Sequence, residues 1–485
     1  MILAPVWRTR FFAAGSAILA VWLAIDIAHG RFFWPSAVAG LLALFLLARA
    51  QPLPLGHLAL IIASAGYIVG NRGFAQISLS SRFPLFPAEI ALLLAGGLLL
   101  VHSAWRHDLP LRRDPLNLAI LAWIVFGTLR VVFDVGTFGF IALRDFALVY
   151  YAAFFYLGQD LARDAHGTRI FLNVVAFSGA LVLPLYLLFE RFPDFFFNVL
   201  SFRGNPLIYF KGDLAGTFIA VGAVLFWLRF ESSRRVWNAA LGLLLAGSVV
   251  AMNNRASLLA LVVATGWLAV RGRWRFAVTQ AVAGVVAIIL ILSAAAALRI
   301  SWEKTPVFSL YERVVSIVDP AGQRAYRGDN THYKGDNNLY RLVWWQAVID
   351  ETLDDNPYLG LGFGHDLAER FVREYYPENS EEFNVRSPHN VLLTIFARMG
   401  AAGLLLFLAI VALIALQTWR AIPRSLAHAA PWCLVWAMFV SACLGVVLEG
   451  PMGAVVFWTT LGLAHAHSSE SEIPLDAHPP ETLTS

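Results

Sequence analysis

Charge is what this sequence has least of. Asp, Glu, Lys and Arg make up 14% of its residues, where an ordinary soluble domain carries about 25%. With hydrophobic residues at 59%, that scarcity excludes a soluble enzyme and a disordered chain. Cysteine is nearly absent: Cys433 and Cys443 stand ten residues apart on what reads as one helix. At about 1.5 Å of rise per residue their sulfurs lie about 15 Å apart, too far to bridge, which excludes a disulfide-stapled module. No Asp-x-Asp pair and no His/Cys cluster marks a divalent-metal site. The net charge of +4 is too even for a nucleic-acid binder.

Long apolar runs occupy the space that charge leaves. Fourteen lie near 11–28, 32–48, 56–70, 87–103, 116–133, 141–158, 170–189, 212–229, 236–252, 256–270, 276–298, 391–417, 430–448 and 451–465. The expectation is an all-α polytopic membrane protein with about 12–14 transmembrane helices and one large outer loop containing amphipathic helices. It divides into N-terminal transmembrane helices over 1–298, the loop over 299–390, C-terminal transmembrane helices over 391–465, and a disordered cytoplasmic tail over 466–485. Arg8 and Arg10 precede the first run, and no small-residue cleavage site follows before the second, so that run reads as a retained helix.

Positive charge sets an orientation. With the N-terminus inside, sixteen arginines fall in inner connections against nine cations in short outer ones: Arg31, Arg72, Arg82, Arg130, Arg144, Arg191, Arg203, Lys211 and Arg255. That bias supports inner termini and puts 299–390 outside. The nine outer cations run against it, so those near a boundary need another reason to be there. The two halves show no strong internal repeat, which disfavours a transporter built from inverted repeats.

Within the loop, Asn337 and Asn338 can cap a helix from Leu339 to about Leu353, which Asn356-Pro357 stops. Leu342, Trp345, Ile349 and Leu353 would form its apolar stripe. Gly360, Gly362 and Gly364 then permit a tight turn, and a second helix, from about Asp366 to Tyr375, carries Leu367, Phe371 and Tyr375 on one side. Both read as helices lying on or near the membrane surface. Ser387-Pro388-His389-Asn390 closes the loop; serine as N-cap with proline at the first helical position puts His389 in the first turn of a membrane helix. There the helix dipole disfavours the imidazolium, and a neutral imidazole is suited to general-base work.

The order of these pieces is NNRASLLAL at 253–261, an Arg-x-x-Trp helix leading into Pro-x-x-Gly-x-Gly (NLYRLVWWQAVIDETLDDNPYLGLGFG), and SPHN entering a helix. It resembles the O-antigen ligase and polymerase superfamily of bacterial envelope glycosyltransferases. The resemblance covers mainly about 200 to 420; GYIVGNRGFA and ALRDFALVYYAAFF fit such proteins only as hydrophobic helices. It implies a metal-independent transferase, without a cofactor, in the bacterial inner (cytoplasmic) membrane, its active site facing the periplasm. The donor would be a glycan on undecaprenyl diphosphate, the acceptor a glycan or lipid hydroxyl. Other polysaccharide-assembly proteins are implied as partners. By motif, the catalytic roles fall on His389 as base and on Arg255 and Arg341 at the diphosphate. Arg203 and Lys211, in FRGNPLIYFKGD, are looser candidates for diphosphate or acceptor binding, and Glu449 could orient His389 or the acceptor.

The chemistry agrees independently. Displacing a lipid diphosphate develops negative charge on the leaving group; guanidinium matches phosphate oxygens bidentately and cannot lose its proton. Fixed cations stabilise that charge without a metal, and one base with one attack implies inversion at the anomeric carbon. Other residues read as structural: Arg144 and Asp145 as a pair with neighbours such as Arg130 or Asp134, His365 as a loop hydrogen-bonder, and Trp344 and Trp345 as packing residues. Trp34, Trp432 and Trp458 read as an interfacial belt. Ligase and polymerase share this Arg/His logic, and the lean is towards a polymerase because nothing marks a lipid A core site. The rival function is a lipid-linked oligosaccharide flippase or another polysaccharide transporter.

Overall fold

The computed structural model describes residues 19–26, 29, 38, 53–78, 85–107, 112–252, 254–317, 319, 332–375, 386–421 and 426–470. The expected spans 11–28 and 32–48, apart from 19–26 and residue 38, and the expected tail beyond Glu470 lie outside the described residues. The other twelve expected spans are helices: α1 (Leu55–Gly70), α2 (Pro87–Arg106), α3 (Pro115–Phe138), α4 (Phe140–Ala162), α5 (Ala165–Arg191), α6 (Gly212–Ser233), α7 (Val236–Ala251), α8 (Arg255–Val270), α9 (Arg275–Ala297), α13 (Val391–Arg420), α14 (Leu426–Ala442) and α15 (Pro451–Glu470). The long loop contributes α10 (Pro306–Ile317), α11 (His332–Asp355) and α12 (Glu369–Tyr375). A two-stranded hairpin, β1 (Ser201–Phe202) and β2 (Asn205–Pro206), precedes α6. Among the described residues, seven helices are long and apolar enough to cross a membrane and four are shorter apolar helices. The protein is an all-α polytopic membrane protein.

Local chemistry sets the helix ends. Asp114 accepts from the amides of Leu116 and Asn117 at 3.1 Å ahead of Pro115, and Asn254 accepts from Ser257 at 3.0 Å. Small residues then let helices approach: a Cβ at Gly158 would run into Thr459 backbone, and one at Gly462 into Phe155 backbone, where α4 crosses α15. At the centre stands α6, packed against α5, α7, α8 and α14 and apolar on every side.

The glycine turn does not stay at the surface. Gly400 interrupts α13 with φ 63° and ψ −164°, about 14 Å along the helix from Val391. The loop backbone repairs the break: Pro357 O accepts from Ala401 N at 2.8 Å, Tyr358 O from Ala402 N at 3.1 Å, and Leu361 N donates to Ala397 O at 2.7 Å. Irregular backbone at that depth is tolerated because protein, not lipid, surrounds it.

Several details differ from the sequence reading. The helix expected from Leu339, α11, begins at His332, so Asn337 and Asn338 lie inside it rather than capping it. Its buried face is Trp344, Ala347 and Val348 rather than the Leu342 stripe, and Leu353 is exposed. The reason is docking: that face meets Leu367 and Phe371 of the loop and Leu393 and Ala397 of α13. Trp432 and Trp458 are buried in the bundle, not interfacial, and α15 continues through Glu470, five residues past the expected end at 465.

Candidate functional site

Four of the six singled-out residues meet at one rim of the bundle. His389 sits just ahead of α13 with φ 57°, a left-handed backbone uncommon outside glycine. The cap of α13 is Asn390, whose Oδ1 accepts from Leu392 N at 3.0 Å and Leu393 N at 3.3 Å. Ser387, the expected cap, accepts from His389 N at 3.3 Å instead. Trp345 Nε1 donates to Pro388 O at 2.7 Å, and the Trp344 ring meets the imidazole edge to face at 6.2 Å. Burial, then the charges of Lys211 and Arg341, push the imidazole down to about 4. A neutral imidazole was expected from the helix dipole; the structure gives burial and neighbouring cations as its cause.

Lys211 reaches this rim through a backbone brace. Asn71, fully buried with φ 51°, accepts from Arg72 N and Lys211 N through Oδ1, each at 3.0 Å. The Lys211 ammonium lies 3.8 Å from Asp213 at the head of α6, and burial lowers its proton affinity. From α11, Arg341 Nη1 donates to Leu444 O at 3.0 Å; burial pulls it down too. Glu449, opposite, accepts from Thr394 Oγ1 at 2.9 Å and from the Ser387 hydroxyl, and burial raises its carboxyl. Arg72 acts on Lys211 from its place over the Tyr209 ring, 5.1 Å away. Three cations thus face two carboxylates, one of them biased towards neutrality. The arrangement is a half-buried cationic rim around a neutral imidazole.

Two residues are held differently. Arg255 starts α8, whose Ser257 abuts Gly216 near the head of α6, but its Nη1 donates to Ser316 O of α10 at 3.4 Å. Arg203 is an exposed turn residue. Arg203 and Gly204, both with positive φ, link β1 to β2 as a two-residue hairpin loop, and the Arg203 guanidinium lies over Phe202 with Ser78 O at 3.5 Å.

The stretches read as plain hydrophobic helices supply the polar supports. Asp145, in ALRDFA, binds Arg398 at 2.8 Å, stands 3.8 Å from Arg386, and accepts from Gly364 N at 3.0 Å. Asp134 accepts from Phe363 N at 2.7 Å and pairs with Arg130 at 3.3 Å, while Arg130 donates to Gly360 O at 3.1 Å. Arg398 and Arg386 donate to Gly362 O and Gly364 O. Gly360, Gly362 and Gly364 all have positive φ, and a Cβ at 362 would meet Asp134 Oδ1 at 2.6 Å. The structural pairing expected for Asp145 thus exists, with Arg398 and Arg386 rather than Arg130. His365 is likewise structural, 2.9 Å from Glu351. The cue available for Asn71, Arg72, Asp134 and Asp145 was position: polar residues at the ends of apolar runs on the same side as the loop. Among the described residues no group of three or more His, Cys, Asp or Glu is arranged to hold a metal ion.

Residues 240–408 match the family described as O-antigen ligase, a stretch that contains Arg255, Arg341 and His389 and not Arg203, Lys211 or Glu449. No curated protein matches the chain. The match over 240–408 supports a membrane-embedded, glycosyltransferase-like role in polysaccharide assembly, with lipid and glycan substrates in general.

Proposed function

We propose that the protein transfers a glycan from a polyprenyl diphosphate, undecaprenyl diphosphate in bacteria, to an acceptor hydroxyl. The reaction takes place at the outer, periplasmic face of the inner membrane. The observation that carries this reading is the meeting of His389, Lys211 and Arg341 on one half-buried rim. The acceptor oxygen attacks the anomeric carbon while His389 takes its proton; the bond from that carbon to the diphosphate breaks, and the lipid diphosphate leaves with the electron pair. One displacement inverts the anomeric centre. Arg341 and Lys211 hold the diphosphate oxygens and stabilise the charge that grows there, so the step needs no metal. Glu449 fixes Ser387 and through it the His389 backbone; Arg255 borders the site and ties α10 to it. Arg203 stands apart in its hairpin.

The cations also make His389 a weak base until the donor binds. A diphosphate between Lys211 and Arg341 offsets their charge and raises imidazole basicity as the acceptor needs it. The test is transfer from a defined lipid-diphosphate glycan by the purified full chain in proteoliposomes, with donor binding measured separately. His389→Ala should lose about 10²–10⁴-fold in transfer, the range of a general base, while still binding donor, and chelator should leave wild-type transfer intact. Full transfer by His389→Ala, or its abolition by chelator, would overturn the reading.

A further inference from the structure

At the end of the bundle opposite His389, the C-terminal turns of α6 and the link from α8 to α9 line an open cavity of about 890 Å³. Arg234, Arg273 and Arg275 line it together with Glu231, Trp227 and Trp274. Glu231 is already committed, pairing with Arg273 at 3.1 Å and accepting from Trp227 Nε1 at 3.1 Å. Arg234 and Arg275 are exposed and, among the described residues, have no ion pair. The cavity therefore holds three guanidiniums against one carboxylate.

An apolar track leads away from it. Of the strongest hydrophobic window of α9, 6% is buried, against 83% for α6. Phe276 and Ala295, near its two ends, are its buried residues. Val278 lines the cavity, and Val282, Val285 and Ile289 continue from it at helical spacing, each roughly half exposed.

We propose that this cavity binds one anionic phospholipid. Its phosphate lies among Arg234, Arg273 and Arg275, beside the Trp274 indole, and an acyl chain runs along the Val278–Val282–Val285–Ile289 track. Cations at this end follow from the positive-inside bias alone; a cavity they share, an indole in its lining and an apolar stripe leaving it do not. Charge chooses the occupant. Guanidinium pairs with phosphate oxygens, basic pockets between transmembrane helices suit anionic headgroups, and a zwitterionic headgroup would bring its own cation among three others. The site lies apart from the rim described above and stands whether or not the transfer chemistry is correct.

The full chain, purified into phosphatidylcholine nanodiscs, is titrated with phosphatidylglycerol, with further phosphatidylcholine and with glycerol phosphate, following bound lipid by native mass spectrometry and unfolding by heat. One equivalent of phosphatidylglycerol should be retained and should raise Tm, with at least tenfold preference over phosphatidylcholine. Arg234→Gln with Arg275→Gln should remove that preference without changing Tm in phosphatidylcholine, and the paired Lys substitutions should recover part of it. Equal retention of both lipids, the same stabilisation by glycerol phosphate alone, an unchanged preference in the Gln pair, or occupation of the α9 flank by a second copy of the chain would each overturn the proposal.

Discussion

Near one end of α6, Lys211 and Arg341 are half-buried, and burial lowers the proton affinity of both. Near the other, Arg234 and Arg275 stand exposed beside an open cavity. Both ends are cationic and the settings are opposite. An exposed guanidinium keeps its hydration, costs little to place, and binds anions in a way that salt screens. A cation drawn out of water is costly unless anions offset it, and at the His389 rim Asp213 and Glu449 do so in part, so the proposed donor diphosphate would complete that compensation. In function, the buried end suits chemistry and the exposed end suits retention.

The sharpest way to break that contrast is to make the same substitution at both ends. Arg341→Ala should lower kcat/KM for glycan transfer by about 10²–10³-fold, the range for removing one preorganised charge. Arg341→Lys should recover little of it, because an ammonium cannot reproduce the planar fork. Arg234→Ala should leave transfer within about twofold, as expected of an exposed side chain remote from the reacting atoms. Steady-state kinetics on the three variants decides it; equal losses at positions 341 and 234 would erase the distinction.

Acid separates the two ends next. His389 must be neutral to accept a proton, and burial with Lys211 and Arg341 holds it down to about 4. The protonated form gains ground only as pH falls, so kcat/KM should stay flat from pH 8 to about 5, then drop tenfold per pH unit below about 4. The limb in kcat, which reports the donor-bound enzyme, should sit higher, towards the ordinary histidine value of about 6.5. Coincident limbs at about 6.5 would show that the cations do not act on the imidazole in the free enzyme. Burial and then the charges of Lys211 and Arg341 set the shift together; the opposite cavity has only arginines and Glu231 as titratable lining, so its lipid preference should not change between pH 5 and 8.

The bundle was legible because apolar runs leave few alternatives to a spanning helix, and twelve of the fourteen expected spans fall on described helices. His389 and Arg341 were legible because they sit in motifs with internal spacing. What escaped was tertiary. Nothing local in YIVGNRG says that Asn71 will hold the segment that carries Lys211. Nothing in ALRDFA says that Asp145 will clamp a glycine turn more than two hundred residues away. The kink at Gly400 escaped for the same reason: a glycine inside an apolar run reads as packing until another segment is seen to mend the break. Segments that look featureless alone are where long-range polar contacts hide, because each contributes one polar group and the partner lies elsewhere.

Arg203 gives the smallest expected effect and the finest test. It is a cation on the same rim side as Lys211, close to it in sequence, yet its backbone is left-handed, in a two-residue turn that favours asparagine over arginine. If the turn is its role, Arg203→Asn should keep kcat/KM within about twofold and leave Tm unchanged or slightly raised, because asparagine tolerates that backbone with less strain. If its charge guides the diphosphate, the same variant should lose about tenfold or more, the scale of a charge-assisted hydrogen bond to phosphate. The two readings differ in size for activity, while the melting measurement confirms that the variant is folded. One purified variant, measured by melting and by kinetics, therefore tells whether the cationic rim ends at Lys211 or extends to the hairpin.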